Sequence, residues 1–182
     1  MTSVQTKAIP KAFSVEAGKG RPVHVLGNDA TIKISSRDTD GAFTVFESRT
    51  PPLAGPPLHR HRNQDEWWYI LAGEFKFEVD GHEIYAGPGA TVFAPRGSRH
   101  TFQNVGTVPG RMLTTVVPGG LDLFFEELET VAPRGTVPDR AAILAVFAKH
   151  HQELLGPPLA QRAASRPADN NARSLGLVGS SA

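Results

Sequence analysis

The chain has 182 residues, a formal net charge of +1 and no cysteine, which predicts one domain with some extra length and excludes disulfides, thiolate zinc sites and a cysteine nucleophile. Because basic and acidic residues nearly balance, there is no electrostatic case for a nucleic acid or an anionic membrane as a partner. No apolar run approaches the roughly 20 residues of a membrane span, and the first 19 residues do not have the pattern of a signal peptide, so we expect a cytoplasmic protein.

Short strands separated by turns dominate the first two thirds of the chain. Residues 1–20 are predicted to be a polar N-terminal arm, and residues 21–130 a barrel. Residues 75–79 alternate apolar and polar side chains, and the hairpin dipeptide Asp80-Gly81 follows them. Many such runs at close spacing, with Gly and Pro between them, are typical of an all-β sandwich or barrel.

After Pro118 the periodicity becomes helical. Residues 121–128 are compatible with a short helix. Apolar residues then recur at helical spacing up to Gly156, which predicts a helix over about 138–155. We expect residues 131–156 to pack this helix on the outside of the barrel. Residues 157–182 have few large apolar side chains, so a flexible tail is predicted there.

Three histidines and one glutamate are the candidate metal ligands. His59 and His61 are two residues apart, so on a strand they share a face. Glu66 follows after room for a turn, and His100 comes after a Pro-Arg-Gly turn. Three imidazoles and a carboxylate suit Fe, Mn, Ni, Co, Cu or Zn, so we expect one divalent transition metal ion per chain, of open identity.

The spacing around these residues resembles the two conserved motifs of the cupin superfamily. The first motif is matched by Gly55, His59, His61, Glu66 and Gly73, although three residues rather than the usual five separate Gly55 from His59. The second motif is matched at every spacing by Gly89, Pro95, Gly97, His100 and Asn104. Residues 118–125 are similar to single-domain microbial cupins near the quercetinases. The resemblance implies a cupin-type jelly-roll β-barrel with a short C-terminal helical segment.

The carboxylate ligand has a neighbour that could compete for the role. Asp65 and Glu66 are adjacent, and neighbours on a strand point to opposite faces, so only one can face the histidines. In the cupin motif six residues separate the acid from the glycine, and Gly73 therefore assigns Glu66. Asp65 is then expected to face outward, either solvated or paired with an arginine.

Strand parity predicts the lining of a pocket around the metal. Residues that share a face with a ligand, or form the apolar face of a strand, are Trp68, Ile70, Phe75, Phe77, Phe102 and Asn104. On strand 111–117 either Met112 or Leu113 points inward. These aromatic residues are equally compatible with a simple barrel core. As a lining they favour a flat or apolar organic ligand over a sugar phosphate, which needs Arg or Lys clamps.

The resemblance implies a metal-dependent, quercetinase-like dioxygenase acting on an apolar or aromatic enolizable small molecule inside the barrel. Glu66 would be a ligand, a general base, or both. The alternatives are another cupin enzyme, an isomerase or decarboxylase, and a non-catalytic small-molecule-binding cupin. Trp67 and Tyr69 are predicted to face outward, so either the C-terminal helix or a second subunit must cover them. Similarity to single-domain cupins favours a homodimer.

Overall fold

Two antiparallel sheets face each other, and two helices, a further strand and a short helix follow them. The computed structural model describes residues 11–26 and 28–164. The strands are β1 (Arg21–Val25), β2 (Asn28–Ile34), β3 (Thr44–Thr50), β4 (Pro57–His61), β5 (Asp65–Ala72), β6 (Phe75–Val79), β7 (His82–Ala86), β8 (Thr91–Ala94), β9 (Arg99–Asn104), β10 (Gly110–Val117) and β11 (Gln152–Pro158). The helices are α1 (Leu121–Val131), α2 (Arg140–Lys149) and α3 (Leu159–Ala164).

The strand order identifies the architecture. Sheet A has the order β1-β2-β3-β10-β5-β8, and sheet B has the order β11-β4-β9-β6-β7. Neighbouring strands are antiparallel, and several are distant in sequence. This is the predicted jelly-roll barrel with a C-terminal helical segment, so the fold class is confirmed.

Strand β5 shows how side-chain alternation divides the inside of the barrel from the outside. Trp68 is 2% exposed and Ile70 is fully buried, whereas Trp67 is 47% exposed and Tyr69 also faces outward. The parity predicted for these four residues is therefore confirmed. The period of two arises because successive side chains leave opposite faces of a pleated strand.

Two apolar clusters hold the barrel together. One lies between the sheets and consists of Trp68, Ile70, Phe75, Phe77, Ala86, Val92, Ala94 and Met112. The inward residue of β10 is thus Met112 and not Leu113. The other cluster joins one end of the barrel to the helices and consists of Val23, Ile32, Phe46, Val116, Leu121, Phe124, Phe125, Leu128, Ile143, Val146 and Phe147. The helices therefore close an end of the barrel, where the sequence predicted packing on its outside.

Helix α1 is tied to sheet A by a buried carboxylate in its first turn. Asp122 accepts hydrogen bonds from Thr44 Oγ1 at 2.8 Å, Ser36 Oγ at 3.0 Å and Ser36 N at 3.1 Å. The carboxylate is fully buried. A buried charge needs such partners, so these contacts set where α1 sits on the barrel.

Two glycines of the predicted motif region have identifiable roles. A Cβ on Gly55 would lie 1.9 Å from the carbonyl oxygen of Phe102, so only glycine lets the segment before β4 approach β9. At the β6–β7 hairpin, Asp80 and Gly81 have φ values of 47° and 85°. Two positive φ values are the type I′ geometry that the Asp-Gly dipeptide predicts.

The predicted helix over 138–155 is wrong beyond residue 149. Helix α2 begins after its N-cap Asp139, whose side chain accepts a hydrogen bond from Ala141 N, and it ends at Lys149. His151 adopts a φ of 56°, which turns the chain out of the helix. Residues 152–158 then form β11 because they pair with the otherwise open edge of β4. The free energy gained by pairing the open backbone N–H and C=O groups of β4 thus exceeds the helical preference of the local sequence.

The predicted flexible tail also starts too early. Residues 157–164 complete β11 and form α3, and Arg162 of α3 bonds to Glu78 of β6. Residues 165–182 lie outside the described residues. Within the predicted N-terminal arm, residues 11–20 contain neither helix nor strand, and residues 1–10 lie outside the described part of the chain. The domain boundaries at 20, 130 and 156 stay predictions.

None of the helices within residues 11–26 and 28–164 has both the length and the apolar character to cross a bilayer.

Candidate metal centre

The two sheets together bring the four predicted ligands to one place. His59 and His61 lie on β4 and His100 on β9, and the β4–β9 register pairs His59 with His100. These three imidazoles come from sheet B, whereas Glu66 comes from β5 of sheet A. His61, Glu66 and His100 are buried, and His59 is partly buried. The site therefore spans the interior of the barrel.

The potential ligand atoms are close enough to surround one ion. One nitrogen of each histidine and one oxygen of Glu66 all lie within 4.8 Å of one another. Glu66 Oε2 is 3.1 Å from His100 Nε2 and 3.5 Å from His61 Nε2. This donor set, without thiolates, suits a divalent transition metal.

Backbone carbonyls determine which imidazole nitrogens are free. His59 Nδ1 lies 2.9 Å from the carbonyl oxygen of Pro57, and His100 Nδ1 lies 3.1 Å from that of Ser98. A carbonyl only accepts, so Nδ1 carries the proton in both rings and Nε2 keeps a lone pair. This is the outer arrangement that orients metal-binding histidines in proteins. His61 Nδ1 has no hydrogen-bond partner among the described residues.

Burial keeps two of the histidines neutral. The pKa values of His59 and His61 are well below the ordinary histidine value, chiefly because burial penalises the charged imidazolium and also because His100 lies beside both. A metal binds the neutral form of imidazole, so this environment favours coordination at neutral pH.

The neighbouring carboxylate is engaged elsewhere, as its predicted outward orientation requires. Asp65 accepts hydrogen bonds from Arg96 N at 2.8 Å and from Arg96 Nη2 at 2.7 Å. These bonds hold the pKa of Asp65 below its ordinary value. The predicted pairing of Asp65 with an arginine is confirmed.

Strand β11, which was not predicted from the sequence, pairs with β4 at the edge of sheet B and so supports the strand that carries His59 and His61. Gln152 pairs with His61 and Leu154 pairs with His59 in the β4–β11 register. Glu153 forms ion pairs with Arg60, which lies between the two histidines, and with Arg62, which follows the end of β4. The position of β4 thus depends on residues about 90 positions further along the chain.

A mostly apolar cavity of about 110 Å³ opens beside the ligands. Of the six predicted pocket residues, Trp68 and Phe102 line it together with His59, His61 and Glu66.

The other four predicted pocket residues do not line the cavity. Ile70, Phe75 and Phe77 are packed in the cluster between the sheets. The side-chain amide of Asn104 donates to the carbonyl oxygens of Thr50 and Val108, so this residue organises a turn. Parity assigned all four correctly to the barrel interior, but it could not tell how far along the barrel the cavity extends.

Two sets of lining residues were missed by the sequence analysis. The segment after the barrel supplies Leu121, Phe124, Phe125 and Phe147 from α1 and α2, and Leu154 from β11. Sheet A supplies Phe46, Ser48 and Thr114. The residues of sheet A share parity with buried apolar neighbours on β3 and β10, so alternation was the signal that could have found them.

Comparison with known proteins agrees with this geometry. Residues 46–116 match the family described as the cupin domain. The chain is 27% identical to quercetin 2,3-dioxygenase of Bacillus subtilis over 128 residues, which are 70% of this chain and 37% of that enzyme. It is 32% identical to the tetracenomycin polyketide synthase protein TcmJ of Streptomyces glaucescens over 123 residues, which are 65% of this chain and 82% of that protein.

Solved structures show the same fold. A predicted oxalate decarboxylase from Thermotoga maritima superposes with a TM-score of 0.54 at 22% identity, over 58% of this chain and 99% of that one. The chain thus corresponds to the whole of that small protein, but to little more than a third of the Bacillus subtilis enzyme.

Proposed function

The chain belongs to the cupin superfamily, and on that premise we propose that it is a metal-dependent oxygenase, a quercetinase-like dioxygenase, that acts on an apolar or aromatic enolizable molecule bound inside the barrel. The observation that carries the proposal is a cluster of three imidazoles and one carboxylate, of which His59, His61 and Glu66 line an apolar cavity. The similarity to the Bacillus subtilis quercetin 2,3-dioxygenase supports the same reaction class.

The ligand set fits a divalent metal ion. His59, His61 and His100 would hold the ion through their Nε2 atoms, with Glu66 as the fourth ligand. A bound ion would supply Lewis-acid stabilisation of a developing enolate and a place for dioxygen to react. A site with four protein ligands leaves positions for substrate on metals that accept more than four ligands.

The chain's own residues have three tasks in this proposal. Glu66 accepts the proton that the substrate loses on enolization, because the Nε2 lone pairs of the three imidazoles would be committed to the ion, whereas the carboxylate has a second oxygen. Trp68 and Phe102 contact the flat body of the substrate and orient it. The aromatic side chains of α1 and α2 exclude water from the reacting atoms.

A second candidate function follows from TcmJ, of which this chain covers 82%. TcmJ is a polyketide synthase protein. In this alternative the cavity binds a phenolic polyketide, and Glu66 moves a proton without any oxidation. Oxygen consumption separates the two candidates.

We also propose that the protein is a homodimer that assembles through the outer face of sheet A. Trp67, Tyr69 and Phe93 are exposed on adjacent strands, and Trp67 pairs directly with Phe93. Helices α1 and α2 pack on the other cluster and leave these aromatics uncovered. Exposed aromatic residues that are grouped in this way are typical of subunit interfaces.

Metal content and oxygen uptake test the proposed function together. The purified protein should contain close to one metal ion per chain by elemental analysis, and His61→Ala should lose most of it. Samples reconstituted with each of the six candidate metals should then be screened in an oxygen electrode with flavonols and diketones. We expect uptake with at least one combination of metal and substrate.

The matched control is His82→Ala, which removes an exposed histidine on β7 and should leave the metal content unchanged. Equal metal content in the wild type and in the double variant His59→Ala/His100→Ala would refute the metal site. Metal binding and substrate binding without oxygen uptake would favour the proton-transfer candidate.

A further inference from the structure

Two buried hydroxyl groups in the cavity wall have no hydrogen-bond partner within the described part of the chain. Ser48 on β3 is 8% exposed and Thr114 on β10 is 0% exposed. Neither Ser48 Oγ nor Thr114 Oγ1 has a hydrogen-bond partner among the described residues. Both residues line the same cavity as the metal ligands.

Two other buried hydroxyls in the barrel, those of Thr44 and Thr101, are paired, in contrast to those of Ser48 and Thr114. Thr44, also on β3 and fully buried, donates to Asp122 at 2.8 Å. Thr101 on β9 donates to the carbonyl oxygen of Pro56 at 2.7 Å. A buried hydroxyl without a partner destabilises a protein, and an alanine or valine at the same place avoids that cost. Structural needs alone therefore do not explain Ser48 and Thr114.

The strand register sets these hydroxyls in a line with the metal site. Glu66 pairs with Val116, and Thr114 lies two residues before Val116 on β10. Glu66 and Thr114 are therefore diagonal neighbours. Ser48 pairs with Met112, which makes Ser48 the next diagonal neighbour of Thr114 in the same direction. Each diagonal step spans roughly 7–8 Å, so the line covers about the length of a molecule with two or three rings.

The surroundings of the line are aromatic. Trp68 pairs with Thr114 on one side and Phe46 pairs with it on the other. Both aromatic side chains line the cavity, as do Phe124 and Phe125 of α1. A ligand along the line would therefore contact polar groups at discrete points of an otherwise apolar wall, which is how small-molecule sites fix orientation.

We propose that Thr114 and Ser48 are positioning residues that bind oxygen substituents on the part of the substrate remote from the metal. The inference deepens the proposed function and rests on it. The substrate class is an elongated aromatic molecule with a metal-binding enol or phenol at one end and further hydroxyl or carbonyl groups along its length. Thr114 forms a hydrogen bond with the substituent nearer to the metal site, and Ser48 forms one with the substituent farther from it.

Two flavonols and two near-isosteric variants test the assignment. The probes are 3-hydroxyflavone, which has only the metal-binding hydroxyketone, and quercetin, which adds hydroxyls on both ring systems. The variants Thr114→Val and Ser48→Ala remove the hydroxyls and little else. Dissociation constants are measured on the metal-containing protein by quenching of tryptophan fluorescence, since Trp68 lines the cavity. Each variant should weaken quercetin binding roughly 3–10-fold, the effect of one hydrogen bond, and leave 3-hydroxyflavone binding unchanged.

Melting temperatures without ligand separate positioning from a structural role. Neither variant should lower the melting temperature, and a rise of about 2–4 °C is expected from removing an unpaired buried hydroxyl. Thr44→Val is the matched control. It removes a paired hydroxyl from β3, the strand of Ser48, and should lower the melting temperature.

Three results would overturn the assignment: melting temperatures that fall as in Thr44→Val, unchanged quercetin affinity in both variants, or a wild type that binds quercetin no more tightly than 3-hydroxyflavone. The oxygen electrode distinguishes this failure from that of the proposed function. Absence of oxygen uptake with the binding pattern intact rejects the oxygenase alone, whereas uptake without the binding pattern rejects only the positioning role.

Discussion

Individual hydrogen bonds decide which atoms of the candidate centre can bind a metal. The carbonyl oxygens of Pro57 and Ser98 accept hydrogen bonds from the Nδ1–H groups of His59 and His100, which leaves both Nε2 lone pairs free. His100 Nε2 lies 3.1 Å from Glu66 Oε2. Each carbonyl belongs to the residue two positions before its histidine, at the first residue of β4 and just before the first residue of β9, so the start of each strand orients the ligand that follows. Glu66 differs from the three imidazoles because only it brings negative charge and a second acceptor oxygen to the site.

Glu66→Gln separates ligation from catalysis. The amide keeps the size of the side chain and an oxygen donor but cannot accept the substrate proton, so much of the metal should remain. Turnover should fall by about 10²–10⁴, the usual effect of losing a general base. Oxygen uptake measures the turnover, and elemental analysis of the same sample measures the metal content.

The control is Asp65→Asn, because Asp65 is the adjacent carboxylate and bonds to Arg96 on the outside of the barrel. It should leave turnover unchanged. If Glu66→Gln retains both metal and full turnover, Glu66 is a spectator ligand and the base lies elsewhere.

At the scale of whole elements, the segment after the barrel holds the site in place. Strand β11 pairs with β4 and thereby backs both histidines of that strand. Helices α1 and α2 close the cavity with aromatic side chains. Both contributions come from residues that lie outside the cupin-domain match over 46–116.

A chain that ends at Gly156 should be less stable than one that ends at Ala164. The shorter chain loses the buried side chain of Leu159 and the bonds between Arg162 and Glu78. Burial of one leucine contributes about 2 kcal/mol, which corresponds to a fall of roughly 4–8 °C in the melting temperature. The longer chain keeps every described contact and serves as the control. Equal melting temperatures for the two chains would show that α3 is dispensable.

Asp122→Ala should detach α1 from sheet A. The substitution leaves three buried donors without an acceptor, which should cost about 3 kcal/mol or more and lower the melting temperature by roughly 6–12 °C. Scanning calorimetry measures the shift. Glu126→Gln is the control on the same helix, since its ion pair with Arg37 is at the surface and should contribute little. Similar shifts for both variants would contradict the anchoring role.

At the scale of the whole molecule, the barrel has two faces with different roles. The inner face of sheet A contributes Glu66 and one wall of the cavity. Its outer face presents Trp67 and Phe93, which are 47% and 58% exposed. The near-zero net charge of +1 places no strong repulsion between two copies of the chain. The arrangement lets a dimer form on one face without obstructing the site on the other.

The wild type should have the mass of a dimer by light scattering coupled to size exclusion, and Trp67→Asp/Phe93→Asp should have the mass of a monomer. Two buried charges in an apolar interface are not tolerated, which explains the expected dissociation. Metal content should stay unchanged because both residues point away from the ligands. Tyr85→Asp, which alters an exposed aromatic on β7, should remain a dimer. A wild type that is monomeric at micromolar concentration would refute the proposed interface.

The local pattern of the sequence was sufficient for the barrel and for the grouping of the ligands. Side chains alternate strictly on a strand, so Trp67 and Trp68 could be assigned to opposite faces without any tertiary information. The Asp80-Gly81 turn was readable because few dipeptides adopt two positive φ values. His59, His61, Glu66 and His100 were grouped because the spacing of two motifs resembles that of a known family.

Tertiary structure alone decided the rest, because it depends on partners that are distant in sequence. Residues 152–155 continue the helical apolar pattern but belong to a strand, since the open edge of β4 lies beside them in the folded chain. Ile70 and Trp68 have the same parity and belong to the same cluster, yet only Trp68 reaches the cavity, because parity gives the face of a strand and not the position of the cavity along it. Ser48 and Thr114 became visible as a line to Glu66 only when the registers of β3, β10 and β5 were known, and strand register is a property of pairing that no single strand contains.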